Sequence, residues 1–172
     1  MVKIIFLDID GVLNIYPQGR DKWGSIFHDH LIDNLKYIVD NTGAKIVITS
    51  TWRNGFIIDD EYVDGLTGLI QMWKDRELPG DIIGITPDLM MKTGSTLQRG
   101  IEIDMWMDEY QEVKKTKIKN YVIIDDDCDM ERHQLDNFVQ TSGNVDHEDC
   151  VDLGYGLTKK CADMAINILN NV

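Results

Sequence analysis

The stretch Val2-Lys-Ile-Ile-Phe-Leu-Asp-Ile-Asp-Gly11 carries the strongest structural signal in this chain. Its first six residues form a mainly apolar run rich in β-branched side chains, which is typical of a strand buried on both faces. The run ends abruptly at two aspartates and a glycine. Because strands of this kind occur mainly in parallel sheets covered by helices, this segment favours an α/β fold.

The rest of the chain alternates between short apolar runs and segments with helical periodicity. The predicted strands are Val2–Leu7, Lys45–Thr49, Tyr121–Ile124 and Phe138–Thr141. Apolar residues at helical spacing predict helices over 31–39, 97–113 and 162–169, and Asp29, Gly43 and Thr158 are the expected cap and stop residues. Alternating strands and helices predict a Rossmann-like parallel sheet with helices on both faces.

The length indicates a single domain over residues 1–172, since one domain commonly takes roughly 100–200 residues. Within it, residues 55–96 show no clear period beyond a possible helix near 63–73, and they are interrupted by glycine and proline. We therefore predict that 55–96 forms a small cap or insertion module rather than a second domain.

The composition excludes several classes of protein. With 17 Lys+Arg against 30 Asp+Glu, the net charge of −13 argues against strong nonspecific binding to nucleic acid. No apolar run approaches the ~20 residues of a membrane span, and no leader sequence is expected. The three cysteines have no C-x-x-C spacing, which favours a reducing compartment, and we expect a cytoplasmic location.

Acidic residues follow two of the predicted strands directly. Asp8 and Asp10 follow the first strand, and Asp125 and Asp126 follow the third. The carboxyl ends of parallel strands meet at one edge of a sheet, where two unit charges ~4 Å apart repel by about 4 kcal/mol at an effective dielectric constant of 20. A bound divalent cation would offset this repulsion, and a set of carboxylate oxygens suits Mg²⁺.

These segments together resemble the haloacid dehalogenase (HAD) superfamily of phosphohydrolases. Asp8-Ile-Asp-Gly-Val-Leu13 is similar to its first motif, the strand ending at Thr49-Ser50 to its second, and Tyr121-Val-Ile-Ile-Asp-Asp126 to its acidic fourth motif. Three further segments resemble the HAD domain of Swiss Army Knife RNA repair proteins: Ile48–Arg53, Arg99–Ile103 with Trp106, and Gly156–Thr158. The resemblance covers nearly the whole chain.

The resemblance implies the roles of the catalytic residues. Asp8 would be the nucleophile that forms an aspartyl-phosphate. Asp10 would protonate the leaving oxygen and later accept a proton from water. Either Thr49 or Ser50 would donate a hydrogen bond to the phosphoryl group.

The same resemblance implies the metal ligands. Asp8, Asp125 and Asp126 would hold Mg²⁺, together with the main-chain carbonyl of Asp10. The metal would then offset charge on the phosphoryl group.

The third motif of the superfamily departs from its usual form, which is a lysine on a helix. Arg99 stands in that place, and Lys92, Lys114 and Lys117 are alternatives. Arg53 is a further candidate for phosphate binding. The competing structural interpretation of Arg99 is an ion pair with Glu102 or Glu109 on its own helix.

The resulting functional prediction is a Mg²⁺-dependent phosphomonoesterase, a HAD-type phosphoric monoester hydrolase. Its expected substrate is a phosphorylated small molecule or the phosphorylated end of a nucleic acid, such as a nucleotide or a polynucleotide terminus. Two alternatives are a receiver-like phosphoprotein and a catalytically silent module that binds Mg²⁺ or phosphate.

Overall fold

The structure is a computed structural model that describes residues 1–89, 99–143 and 154–171. Its strands are β1 (Val2–Leu7), β2 (Arg20–Asp21), β3 (Gly24–Ser25), β4 (Lys45–Ile48), β5 (Phe56–Ile58), β6 (Glu61–Val63), β7 (Ile82–Ile85), β8 (Ile118–Asp125) and β9 (Phe138–Gln140). Its helices are α1 (Asp29–Thr42), α2 (Gly65–Asp75), α3 (Arg99–Lys114) and α4 (Lys159–Asn170), with 3₁₀ turns at Thr51–Asn54 and Arg132–Asn137.

A five-stranded parallel sheet in the order β7-β4-β1-β8-β9 forms the centre of the molecule. Leu7 at the end of β1 is in register with Ile48 of β4 and Ile124 of β8. The three strands therefore end at the same level, and the polar residues that follow them emerge side by side. The predicted α/β fold is confirmed.

Side chains of the central strand alternate between two hydrophobic clusters. Ile5 and Leu7 pack into the cluster that contains α1, α2 and α4, whereas Ile4 and Phe6 pack with Ile103 of α3 on the opposite face. Because both faces of β1 are covered by hydrophobic clusters, neither face tolerates polar side chains in the interior. This explains why all four residues from Ile4 to Leu7 are apolar.

The ends of the helices follow from local sequence. Gly43 ends α1 with φ +65°, and its N–H donates to the carbonyl of Val39 at 2.8 Å, as glycine at this position commonly does. The Thr158 hydroxyl accepts a hydrogen bond from the N–H of Cys161 and caps α4, as predicted. The first helix begins at Asp29 with His28 in the cap position, one residue before the predicted cap.

The described part of residues 55–96 contributes to the central sheet and its core, and a cap or insertion module over 55–96 stays a prediction. Ile82–Ile85 was not predicted as a strand, yet it forms the edge strand β7 of the main sheet. Leu69 and Met72 of α2 pack in the main core. Among the strands of the described part of this segment, β5 and β6 pair in a separate hairpin outside the central sheet. Residues 90–96 lie outside the described residues. The glycine within β7 and the flanking prolines obscure its strand pattern in the sequence.

Among residues 1–89, 99–143 and 154–171, none of the helices has both the length and the apolar character that a membrane crossing needs.

Candidate active site

Three carboxylates meet where β1 and β8 end. Asp8, Asp125 and Asp126 each place one oxygen within 4.8 Å of the others. The approach depends on the turn after β1, where Gly11 has φ +74° and a Cβ at that position would lie 2.3 Å from the Asp126 carboxyl group. A glycine is therefore required both for the backbone conformation and for the space that Asp126 occupies.

Burial makes this acidic cluster costly in its fully ionised form. Burial, followed by the neighbouring charge of Asp8, raises the pKa of Asp125 to about 8. Burial also raises the pKa of Asp8, although Arg99 and a hydrogen bond from Ser50 oppose the effect. Burial and the charge of Asp8 raise the pKa of Asp126 as well. The cluster thus holds protons tightly unless a positive charge stabilises it.

The Arg99 side chain extends from the start of α3 into the acidic cluster. Its Nη1 atom lies 3.0 Å from Asp125 Oδ2 and 3.4 Å from Asp8 Oδ1, and it donates to the carbonyl of Thr49 at 3.1 Å. Burial disfavours the charged guanidinium, but the surrounding carboxylates outweigh burial, so the pKa of Arg99 is raised. Among residues 1–89, 99–143 and 154–171, Arg99 is therefore the cation that contacts the cluster.

The structure places several of the groups that the sequence offered as alternatives to, or partners of, Arg99. Glu102 pairs with Arg53 instead, and Arg99 does not pair within its own helix. Lys114 is at the opposite end of α3, and Lys117 follows it in the chain. Lys92 lies outside the described residues.

Asp10 lies two residues after Asp8, and two donors hold its carboxylate. Asn14 Nδ2 donates to Oδ1 at 2.9 Å, and Trp52 Nε1 donates to Oδ2 at 2.9 Å. The side-chain oxygens of Asp10 do not belong to the group that could hold a metal. That Asp10 contributes a main-chain carbonyl to a metal stays a prediction.

Two hydroxyl-bearing residues follow β4 and are both buried. The Ser50 hydroxyl hydrogen-bonds the Asp8 carboxylate. The Thr49 hydroxyl is buried and has no partner among the described residues. The two side chains differ in surroundings, and Ser50 is the one in contact with Asp8.

Arg53, a predicted candidate for phosphate binding, makes its contacts within the protein interior. Its Nη2 atom pairs with Glu102 at 2.8 Å, and both side chains are less than a tenth exposed. Its Nη1 atom donates to the carbonyl of Thr49 and to the hydroxyl of Thr86. The charge of Arg53 is therefore paired with that of Glu102, and phosphate binding by Arg53 stays a prediction.

A family model described as the HAD domain in Swiss Army Knife RNA repair proteins matches residues 4–146. The chain belongs to this family. The matched segment contains the whole acidic cluster, Asp10 and Arg99. Membership places the protein among the HAD hydrolases, whose activity is of the phosphatase type.

A solved structure from Legionella pneumophila, assigned to subfamily III A of the HAD superfamily of hydrolases, is similar to this HAD domain. The two chains are 16% identical, with a TM-score of 0.47 over 98% of this chain and 84% of the other. No curated protein matches the sequence significantly.

Three residues of this HAD domain acquire roles that the sequence did not reveal. The indole N–H of Trp52 donates a hydrogen bond to the Asp10 carboxylate. Asn14 holds the other oxygen of the same carboxylate. Glu102 neutralises Arg53 and accepts a hydrogen bond from the N–H of Leu89 at 2.8 Å. The sequence signal was their position: Trp52 and Glu102 lie within segments that resemble the family, and Asn14 directly follows one.

Proposed function

We propose that this HAD domain is a Mg²⁺-dependent phosphomonoesterase that acts through an aspartyl-phosphate on Asp8. The observation that carries the proposal is the grouping of Asp8, Asp125 and Asp126 within 4.8 Å, beside an aspartate held by two donors. Asp8 lies in the acidic cluster, whereas Asp10 is held by two hydrogen-bond donors. Two carboxylates in different environments can divide the nucleophilic and acid–base roles between them.

The residues of the acidic cluster fit a magnesium ion. All the donors are carboxylate oxygens, which Mg²⁺ prefers. Asp125 Oδ2 is buried, and its contact with Arg99 Nη1 at 3.0 Å is an ion pair that lacks hydrogen-bond geometry. When ionised, three carboxylates beside one guanidinium leave two negative charges, which one divalent cation neutralises. Asp8, Asp125 and Asp126 would hold the ion, which would offset negative charge on the phosphoryl group and the cluster.

In the first half of the reaction, a carboxylate oxygen of Asp8 attacks phosphorus and forms a P–O bond. The bond between phosphorus and the leaving oxygen breaks, and Asp10 gives its proton to that oxygen. Asn14 and Trp52 orient the Asp10 carboxyl group for this transfer, because both contacts are hydrogen bonds of 2.9 Å.

In the second half, water attacks the phosphorus of the aspartyl-phosphate while Asp10 accepts the proton of that water. The bond to Asp8 breaks, inorganic phosphate leaves, and both carboxyl groups return to their initial states. Donors from the Ser50 hydroxyl and the Arg99 guanidinium, both next to Asp8, support binding of the phosphoryl oxygens. Arg99 would thus serve in the place of the usual third-motif lysine.

The proposed substrates are nucleotides or the phosphorylated ends of short polynucleotides. The family description, which refers to RNA repair, supports this class. The net charge of −13 favours a short substrate over a long polyanion, because long polyanions need many basic contacts. We further propose that residues 55–96 contribute a cap over the site, which is supported by Gly55 and Phe56 lining the same cleft as Asp10. We also propose that the protein acts in the cytoplasm.

The direct test is the variant Asp8→Asn, assayed on an aryl phosphate with Mg²⁺ and after removal of the metal with a chelator. We expect turnover to fall by at least about 10³-fold in the variant, and to stop for the wild-type protein when the metal is removed. Asp127→Asn is the matched control, since Asp127 is an exposed acid in the loop after β8. Unchanged turnover in Asp8→Asn would contradict the nucleophile assignment.

The same assay distinguishes the two alternative functions. A receiver-like protein would accumulate a phosphorylated aspartate that lasts for minutes or longer. A silent module would bind Mg²⁺ without hydrolysing any phosphate ester.

A further inference from the structure

A cleft of about 340 Å³ opens beside the proposed acid–base residue. Asp10 lines it, together with the two hairpins that lie outside the central sheet and the 3₁₀ turn after β4. The residues that matter here are Asp10, Arg20, Trp23, Trp52 and Phe56. The cleft therefore combines one carboxylate, one cation and an aromatic wall.

The wall formed by the β2–β3 hairpin is held firmly to the rest of the domain. Asp21 accepts two hydrogen bonds from Arg76, at 2.9 and 2.7 Å, and Trp23 donates to Asp75 at 3.1 Å. At the tip, Gly24 packs so closely on Trp52 that a Cβ would lie 3.2 Å from the indole ring. The hairpin is thus a preformed side of the cleft.

Arg20 differs from the other cations of this region because its charge is uncommitted. Lys22 pairs with Asp75, and Arg76 pairs with Asp21. Arg20 is exposed on the cleft, and no acid of the described chain forms an ion pair with it. The protein has a net charge of −13, so most of its surface repels anions. An arginine without an ion-pair partner among the described residues gives the cleft a local positive charge that attracts them.

The position of Asp10 determines what enters the cleft. A general acid must contact the leaving oxygen, so the leaving group lies on the side of Asp10, and the cleft is on that side. We propose that the cleft binds the leaving group of the phosphomonoester and that Arg20 binds a second phosphate carried by that leaving group. The proposal rests on the proposed phosphatase function and narrows its substrate to molecules with two phosphates.

Two kinds of substrate carry such a second phosphate. One is a nucleoside 3′,5′-bisphosphate, and the other is a phosphorylated dinucleotide, whose diester supplies the second phosphate. Steady-state kinetics with both substrates, and with a nucleoside monophosphate, would test the proposal in the wild type, in Arg20→Gln and in Lys22→Gln. The last variant is the matched control, since it removes a hairpin charge that already has a partner. Comparison of the two larger substrates shows which source the site prefers.

We expect Arg20→Gln to raise KM about three- to tenfold for a substrate with two phosphates, while kcat and the KM of the monophosphate stay unchanged. The difference should shrink at high ionic strength, because the arginine is exposed. Lys22→Gln should behave as the wild type. Equal effects on all three substrates, or no effect on any, would overturn the proposal.

Binding measurements separate this proposal from the proposed function. In an Asp8→Asn background with Mg²⁺, titration calorimetry with the same three ligands reports affinity without turnover. A selective loss of affinity for the two-phosphate ligands in Arg20→Gln supports the cleft assignment even if the wild type hydrolyses none of them. A loss that is equal for the monophosphate refutes it even if the wild type is an active phosphatase.

Discussion

The buried ion pair between Arg53 and Glu102 leads to a quantitative prediction about stability. Both side chains are less than a tenth exposed, and Glu102 also accepts the N–H of Leu89. The variant Glu102→Ala leaves the Arg53 guanidinium buried without its counter-ion, which commonly costs about 3–5 kcal/mol. A chain of this size shifts its Tm by about 2–4 °C per kcal/mol, so we expect Tm to fall by about 6–20 °C.

Thermal unfolding followed by circular dichroism measures this shift in Tm. Two further variants serve as controls. Glu109→Ala removes an exposed acid from the same helix and should change the free energy of unfolding by less than about 0.5 kcal/mol. The double variant Arg53→Met with Glu102→Leu should recover most of the lost Tm, because neither of these two buried positions then carries a charge. If Glu102→Ala unfolds within 2 °C of the wild type, by the relation above, the pair is not the buried, dry contact described here.

Three further predictions concern the acidic cluster and its neighbours. Gly11→Ala should raise the Mg²⁺ concentration needed for half-maximal activity, because the new methyl group would displace Asp126. Trp52→Phe should lower kcat for an alkyl phosphate about tenfold with little change in KM, because Asp10 loses a charge-assisted hydrogen bond; equal kcat values would show that the indole does not position the acid. Because burial raises the pKa of Asp125 to about 8, the folded state retains a proton that the unfolded chain releases near pH 4. Without metal, stability should therefore fall as pH rises from about 4 to 8, and the gain in Tm on adding Mg²⁺ should be larger at pH 8 than at pH 6; a gain independent of pH would contradict the raised pKa.

Several features of the candidate site were already evident in the sequence. The apolar run of β1 predicted a strand buried on both faces, and the acids after β1 and β8 predicted a carboxylate cluster. Both inferences depend on short-range rules, namely side-chain alternation along a strand and the common edge of parallel strands. The resemblance of the motifs to the HAD superfamily, confirmed by the family match, pointed to the same residues.

Other features depend on which residues meet across long distances in the chain. The sequence offered Arg53 as a phosphate contact, yet Glu102, 49 positions later, binds it in the interior. One of the two donors that hold Asp10 comes from Trp52, 42 positions away. The glycine within β7 hid this strand in the sequence pattern. Local periodicity carries no information about such contacts, because they arise only when packed elements bring opposite charges and hydrogen-bonding groups together in low-dielectric surroundings. The sequence alone therefore determined that carboxylates gather at one edge of the sheet. Which group pairs with each charge was determined by the tertiary packing.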